Sequence, residues 1–185
     1  MDYFTYSYQS VGDYKTIDGN LRLSIAANDI RKNQFQQIVS GYWFGSGKFY
    51  DPARVKQGQR QIETDYIFMR VDEFYLLKAE SLAKQGDAFL PQAKQALKDL
   101  LQNRISDLSF IDSITNSTDL LKEIYHQTRI EFWGEGKSYL AMKRNHMNVV
   151  RGQNHDAFKG LDIPSTDEKL TFKIPSAEVI NNPTL

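Results

Sequence analysis

Residues 70–104, RVDEFYLLKAESLAKQGDAFLPQAKQALKDLLQNR, decide the fold. From Tyr66 onward, Ile67, Val71, Phe74, Tyr75, Lys78 and Leu82 recur every three or four positions, the spacing of one helical face. The run stops at Gly86-Asp87, where glycine suits the left-handed conformation that ends a helix. The pattern therefore predicts a helix of about five turns that turns this stripe inward. Pro91 fits the first turn of a following helix, in which Ala93, Ala96, Leu97, Leu100, Leu101 and Arg104 keep the same interval. Two amphipathic helices joined by a short glycine-containing turn form a helical hairpin.

Reading downstream, Asn116-Ser117-Thr118-Asp119 supplies several N-cap residues for a third helix, with a stripe at Leu121, Ile124, Tyr125, Thr128 and Phe132. Gly134 and Gly136 interrupt it before Lys137 to Asn145 resumes, which makes a second helical pair. The glycines are expected to relieve crowding at a kink, with Trp133 anchoring the packing beside them. Paired helices with alanines at the crossings predict an all-α fold of tetratricopeptide-like hairpins with long irregular loops and little β-structure.

Upstream, residues 1–65 are rich in Gly, Asn, Gln, Ser and aromatics, and read as loops with a few short strands at apolar runs such as 21–25 and 37–39. Residues 146–185 read as an irregular tail in which Phe172-Lys173-Ile174-Pro175 runs extended into a short capped turn. At 185 residues the whole is expected to be one domain: a loop-rich segment over 1–65, helical pairs over 66–145 and the tail.

Composition excludes several classes. Lys plus Arg and Asp plus Glu both number 23, so no net charge draws the chain to nucleic acid by phosphate neutralisation. The absence of cysteine removes thiol nucleophiles, disulfides and cysteine-ligated metals. No apolar run reaches the roughly 18 to 20 residues of a membrane helix. The three histidines, His126, His146 and His155, show no HxxxH spacing, so no metal site is expected. Gly45-Ser46-Gly47-Lys48 is too short for a phosphate loop, and no GxSxG elbow occurs.

Two groups of residues carry possible chemistry. Glu131 and Glu135, four apart on one predicted helix, have the spacing of an acid and base pair. Arg129, Lys137, Lys143 and Arg144 crowd the same region, which favours structural ion pairs over catalysis. Tyr42, Trp43, Phe44, Phe49 and Tyr50 lie in a glycine-rich stretch with Asp51 and Arg54 beside them. Flat rings next to hydrogen-bonding side chains suit the stacking of sugars, and bulky rings equally suit packing under a loop.

Four blocks in order, Arg70 to Asp87, the alanine-rich helix to Arg104, TRIEFWGEGKSYLAMKRN from Thr128 to Asn145, and LTFKIPSAEVINNPTL at the end, resemble the carboxy-terminal half of the SusD/RagB family. Asn28-Asp29-Ile30-Arg31 is similar to an Asp-x-Arg element that often lies upstream in that family. Thr128, Lys137 and Ala141 depart from its usual residues, which alters the ion-pair wiring carried over. Members are outer-membrane lipoproteins of Bacteroidetes-type bacteria that capture nutrients, chiefly glycans. The resemblance implies non-catalytic binding of a glycan or other extracellular nutrient, delivery to a SusC-like TonB-dependent transporter, and no cofactor. It implies an outer-membrane location on the extracellular face, through a lipid anchor that this cysteine-free stretch does not carry, and a chain that is the C-terminal part of a longer protein. The residues assigned to ligand are Tyr42, Trp43, Tyr50, Asp51 and Arg54. Structural roles fall to Arg129, Glu131, Gly134, Glu135, Gly136, Lys143, Arg144 and Pro175. A rival expectation is a helical scaffold that docks on the transporter, or on the rest of its own chain, without touching glycan.

Overall fold

Helix signals and their caps organise most of the chain. The computed structural model describes residues 16–39, 41–45, 68–155 and 158–182. In chain order these form α1 (Gly19–Ser24), a 3₁₀ turn at Ile30–Gln34, the antiparallel hairpin of β1 (Phe35–Val39) and β2 (Tyr42–Gly45), and then α2 (Val71–Ala83) and α3 (Leu90–Leu101). Next come α4 (Ser109–Asp112), α5 (Ser117–Glu131), α6 (Lys137–Arg144), a two-residue ladder of β3 (Val149–Val150) with β4 (Asp162–Ile163), and α7 (Ser176–Asn181). The protein is mainly helical, and its described sheets are two small two-stranded ones.

The α2–α3 pair turns at Gly86, whose φ of 98° only glycine adopts cheaply. On α3 the stripe is as the spacing predicts: Ala93, Ala96, Leu97, Leu100 and Leu101 are all buried, while Arg104 lies beyond the helix end. On α2 the structure corrects the expectation. Val71 and Phe74 remain 66% and 58% exposed, and the buried face is instead Leu76, Ala79, Glu80 and Ala83. Small residues win this face because Ala79 and Ala83, with Ala93 and Ala96 on α3, all bury in one core and let the helix axes come close. The helix is also shorter than predicted, 13 residues starting at Val71, because Arg70 is extended. Tyr66 and Ile67 lie outside the described residues.

Glu80 sits in that apolar face because Arg144 of α6 meets it twice, Nε to Oε1 at 2.7 Å and Nη2 to Oε2 at 2.8 Å, with Lys84 Nζ at 3.0 Å. Burial pushes the Glu80 carboxyl up, and the bonds from Arg144, Lys84 and Asn145 outweigh it, leaving a pKa of about 2. This pair fastens α6 against α2.

α5 begins where the cap predicts: Asn116 Oδ1 accepts the N–H of Asp119 at 2.8 Å, and Asp87, from the turn before α3, accepts that of Ser117 at 2.7 Å. Its buried side chains feed two apolar clusters. Leu120 and Ile124 join the core of α2, α3 and α4, whereas Ile130 joins Ile17, Leu21, Ile25 and Phe35 from the amino-terminal segment. α5 is thus the beam between the helical pair and the hairpin.

The stretch 21–25, which read as loop or strand, is largely helix. Asp18 explains it, since its Oδ1 caps Leu21 N–H at 2.9 Å and its Oδ2 accepts Gly152 N–H at 2.8 Å from the far end of the chain. Asn154 completes this clamp, accepting from Gly19 N–H at 2.9 Å and donating to the carbonyl of Ile17 at 2.8 Å. Residues 158–182 lie almost wholly at the surface, with Phe172 91% exposed. Pro175 is the N-cap of α7, and its carbonyl accepts the N–H groups of Glu178 and Val179. Among the described residues no helix is long and apolar enough to cross a membrane.

Candidate functional site

Glu131 is the last residue of α5, and Glu135 lies past the helix end, so the two carboxylates do not share one helical face as their spacing suggests. What unites them is Arg70. Its Nη1 donates to Glu131 Oε1 and its Nη2 to Glu135 Oε1, both at 2.9 Å, while Nη2 also reaches the carbonyl of Glu131 at 2.9 Å. The other Glu131 oxygen accepts from Arg31 Nη1 at 3.1 Å and Arg104 Nε at 3.4 Å. Three arginines from three distant segments therefore converge on one buried acid. Arg31 is itself oriented by Asp29, Nη2 to Oδ2 at 2.6 Å, and by Gln127 Oε1 at 2.5 Å. Asp72 adds a further carboxylate, at 2.5 Å from Arg70 and 3.4 Å from Arg104.

The electrostatics are set by this geometry. Burial pushes the Glu131 carboxyl up, but the hydrogen bond from Arg70 and the charges of Arg31 and Arg104 outweigh it and hold the pKa at about 2. A group so acidic has no proton to give near neutrality, and a glycosidase needs one carboxyl whose pKa is raised. The cluster is a junction that locks the 29–31 segment, the start of α2, the end of α3 and the end of α5 together.

Several expected partners lie elsewhere. Arg129 sits over the ring of Tyr125 at 6.0 Å, Lys137 pairs with Glu73 at 3.0 Å, and Arg144 belongs to Glu80. Lys143 makes no ion pair among the described residues. Gly134 and Gly136 both have positive φ, 81° and 77°, and a Cβ on Gly136 would meet open space. At Gly136 the requirement is thus the left-handed backbone before α6 and not the close approach of a neighbour. Close approach occurs instead at Gly45, where a Cβ would overlap the ring of Trp133, which also packs edge-on to Phe35 with centroids 5.1 Å apart. The arginines that satisfy Glu131 escaped the sequence reading because nothing local links positions 31, 70 and 104. The one available signal was the Asp29-x-Arg31 element.

The aromatic candidates divide by position. Tyr42 and Trp43 are half-buried on β2, Trp43 opposite Gln37 of β1, while Phe44 is fully buried. Trp43 packs against the amino-terminal cluster, its carbonyl accepts Ile17 N–H at 3.0 Å, and the guanidinium carbon of Arg22 lies 3.1 Å from its ring centre. Tyr50, Asp51 and Arg54, like Phe49, fall outside the described residues. No group of three His, Asp or Glu side chains among the described residues is arranged to hold a metal ion.

A family model for the SusD family, SusD_RagB, matches residues 3–185. The chain belongs to the SusD family. No curated protein matches it. Among solved structures it is similar to a SusD-like carbohydrate binding protein from Bacteroides vulgatus ATCC 8482, with a TM-score of 0.68 and 23% identity over 92% of this chain. A SusD superfamily protein from the same organism gives a TM-score of 0.62 and 20% identity over 85% of this chain. The chain spans 41% and 35% of the length of those two proteins. At such identities the likeness establishes the SusD-type helical fold.

Proposed function

We propose that this SusD-family chain is the C-terminal part of a non-catalytic protein that binds a glycan or another extracellular nutrient at the bacterial outer-membrane surface and delivers it to a SusC-like TonB-dependent transporter. The observation that carries the reading is the family match over residues 3–185. The likeness in fold to a carbohydrate binding protein supports it. So does the chemistry of the two carboxylates: Glu131 is held ionised by three arginines and Glu135 is gripped by one of them, an arrangement suited to structure and not to cleaving a glycosidic bond. Within the described residues the ligand side falls to Tyr42 and Trp43, half-buried rings on β2, with Tyr50, Asp51 and Arg54 proposed as their companions. No cofactor enters this function.

Retardation of the chain in native gels containing a panel of polysaccharides tests the proposal. Binding to at least one polymer, weakened by Tyr42→Ala or Trp43→Ala with the fold retained by circular dichroism, is the expected result. A folded chain that no polymer retards overturns it and favours the second reading, a scaffold that docks on the transporter or on the rest of its own chain. Large apolar side chains left at the surface, Phe68 before α2, Val71 and Phe74 in its first turn, and Phe172 and Ile180 in the tail, favour that reading.

A further inference from the structure

Arg22 stands apart from the arginines of the junction. Arg31, Arg70, Arg104 and Arg144 each face a carboxylate, whereas Arg22 pairs with none among the described residues. The nearest acid on its own helix, Asp18 one turn earlier, is engaged: its oxygens accept from Leu21 N–H and Gly152 N–H, and His155 Nε2 lies 3.2 Å away. The Arg22 Nε is buried and has no hydrogen-bond partner, and the residue as a whole is half-buried. Burial lowers the Arg22 pKa, with no acid to offset it. The guanidinium nevertheless has a fixed seat over the Trp43 ring. A cation thus held in place, partly desolvated and without a counter-charge among the described residues, is a receptor for an anion. Its seat also covers one face of the indole, so that face is not an open platform for a neutral sugar.

Resting on the glycan reading, we propose that Arg22 and Trp43 together form a recognition site for an anionic sugar, one that carries a carboxylate or a sulfate ester. The guanidinium donates to the anionic group, and the part of Trp43 left exposed, with Gln37 across the hairpin, meets the sugar ring. The chain carries no net charge, so its binding to a polyanion has to come from a local site and not from a general positive field.

The test is retardation in native gels containing dextran, dextran sulfate or polygalacturonate, at two salt concentrations. The expected result is retardation by an anionic polymer and not by dextran, weakened about tenfold or more in Arg22→Gln, as loss of a charge-assisted bond implies, and unchanged in Lys122→Gln on the exposed side of α5. Retardation by polygalacturonate alone or by dextran sulfate alone supports the site and assigns it to carboxylate or to sulfate. If Arg22→Gln does not fold, Arg22→Lys keeps the charge without the planar fork, and intermediate weakening is expected. Equal retardation of the parent chain and its Arg22 variants overturns the site, as does binding to dextran alone, which leaves the glycan reading standing. Failure of every polymer in this set and in the wider panel overturns both.

Discussion

Replacing Glu131 by Gln removes one negative charge from beneath three arginines while keeping the shape of the side chain. The size of the effect can be worked from the site. Glu131 has a pKa of about 2 in place of 4.5, a difference equivalent to about 3 kcal/mol of preference for the folded, ionised form. Breaking a buried ion pair from one side costs about 3 to 5 kcal/mol, because the partner charge is left uncompensated. Asp29, Asp72 and Glu135 still accompany the arginines, so the lower end of that range, about 3 kcal/mol, is expected. Urea unfolding at pH 7 should show the midpoint falling with an unchanged slope, and heating should show a melting point lower by about 6 to 12 °C. The pH dependence supplies a second check. A carboxyl whose folded-state pKa is depressed gives its full stabilisation above its unfolded value of 4.5 and loses it as the pH falls toward about 2. The parent chain should therefore lose stability over that window more steeply than Glu131→Gln, both still carrying the loss from Glu80, which titrates in the same range. A Glu131→Gln protein within about 0.5 kcal/mol of the parent at pH 7 would refute the view that this acid locks the junction.

Other substitutions probe single features. Gly45→Ala should destabilise the fold by about 1 to 3 kcal/mol, because its methyl overlaps the Trp133 ring; the near-ultraviolet circular dichroism of Trp133 should change with it. Gly136→Ala should cost about 1 to 2 kcal/mol from the left-handed backbone alone, and Gly136→Asn should recover part of that loss in urea titrations. Asn116→Ala should cost about 1 kcal/mol by removing the cap of α5, read from the same titrations, and Asn116→Asp should recover only part of it, because its carboxylate would face that of Asp119, to which Asn116 Nδ2 now donates at 2.9 Å.

The sequence was most transparent where one residue type served one purpose. On α3 the apolar stripe and the buried face coincide, since Ala93, Ala96, Leu97, Leu100 and Leu101 are apolar and the other positions mostly are not. α2 is opaque because it carries apolar residues on two sides. Periodicity favours the bulky Val71, Phe74 and Tyr75, while the core took Leu76 and the small Ala79 and Ala83. The helix at 19–24 is hard to see because it is only six residues long and opens on Gly19 and Asn20, poor helix formers, so the local Asp18 cap is its one signal. Trp43 was visible as a candidate, but its companion Arg22 was not, since their meeting depends on how β2 folds back over α1. Arg129 and Lys143 are near Glu131 in sequence, whereas the arginines that bond it arrive from 27, 61 and 100 positions away, a distance no local spacing spans.

That order along the chain bears on synthesis. Arg31, Arg70 and Arg104 all leave the ribosome before the acid that unites them. The α2–α3 hairpin, made of near neighbours, is able to form while translation continues. Residues 28–31 can already bond to the stretch after α3, Ile30 N–H to the Arg104 carbonyl and Asp29 bridging Ile105, but the apolar cluster of Ile17, Leu21, Ile25 and Phe35 closes only once α5 supplies Ile130. A polypeptide ending just before Ile130 should thus keep a protease-resistant α2–α3 hairpin while residues 17–35, deprived of Ile130 and Glu131, are cut more readily than in the parent chain.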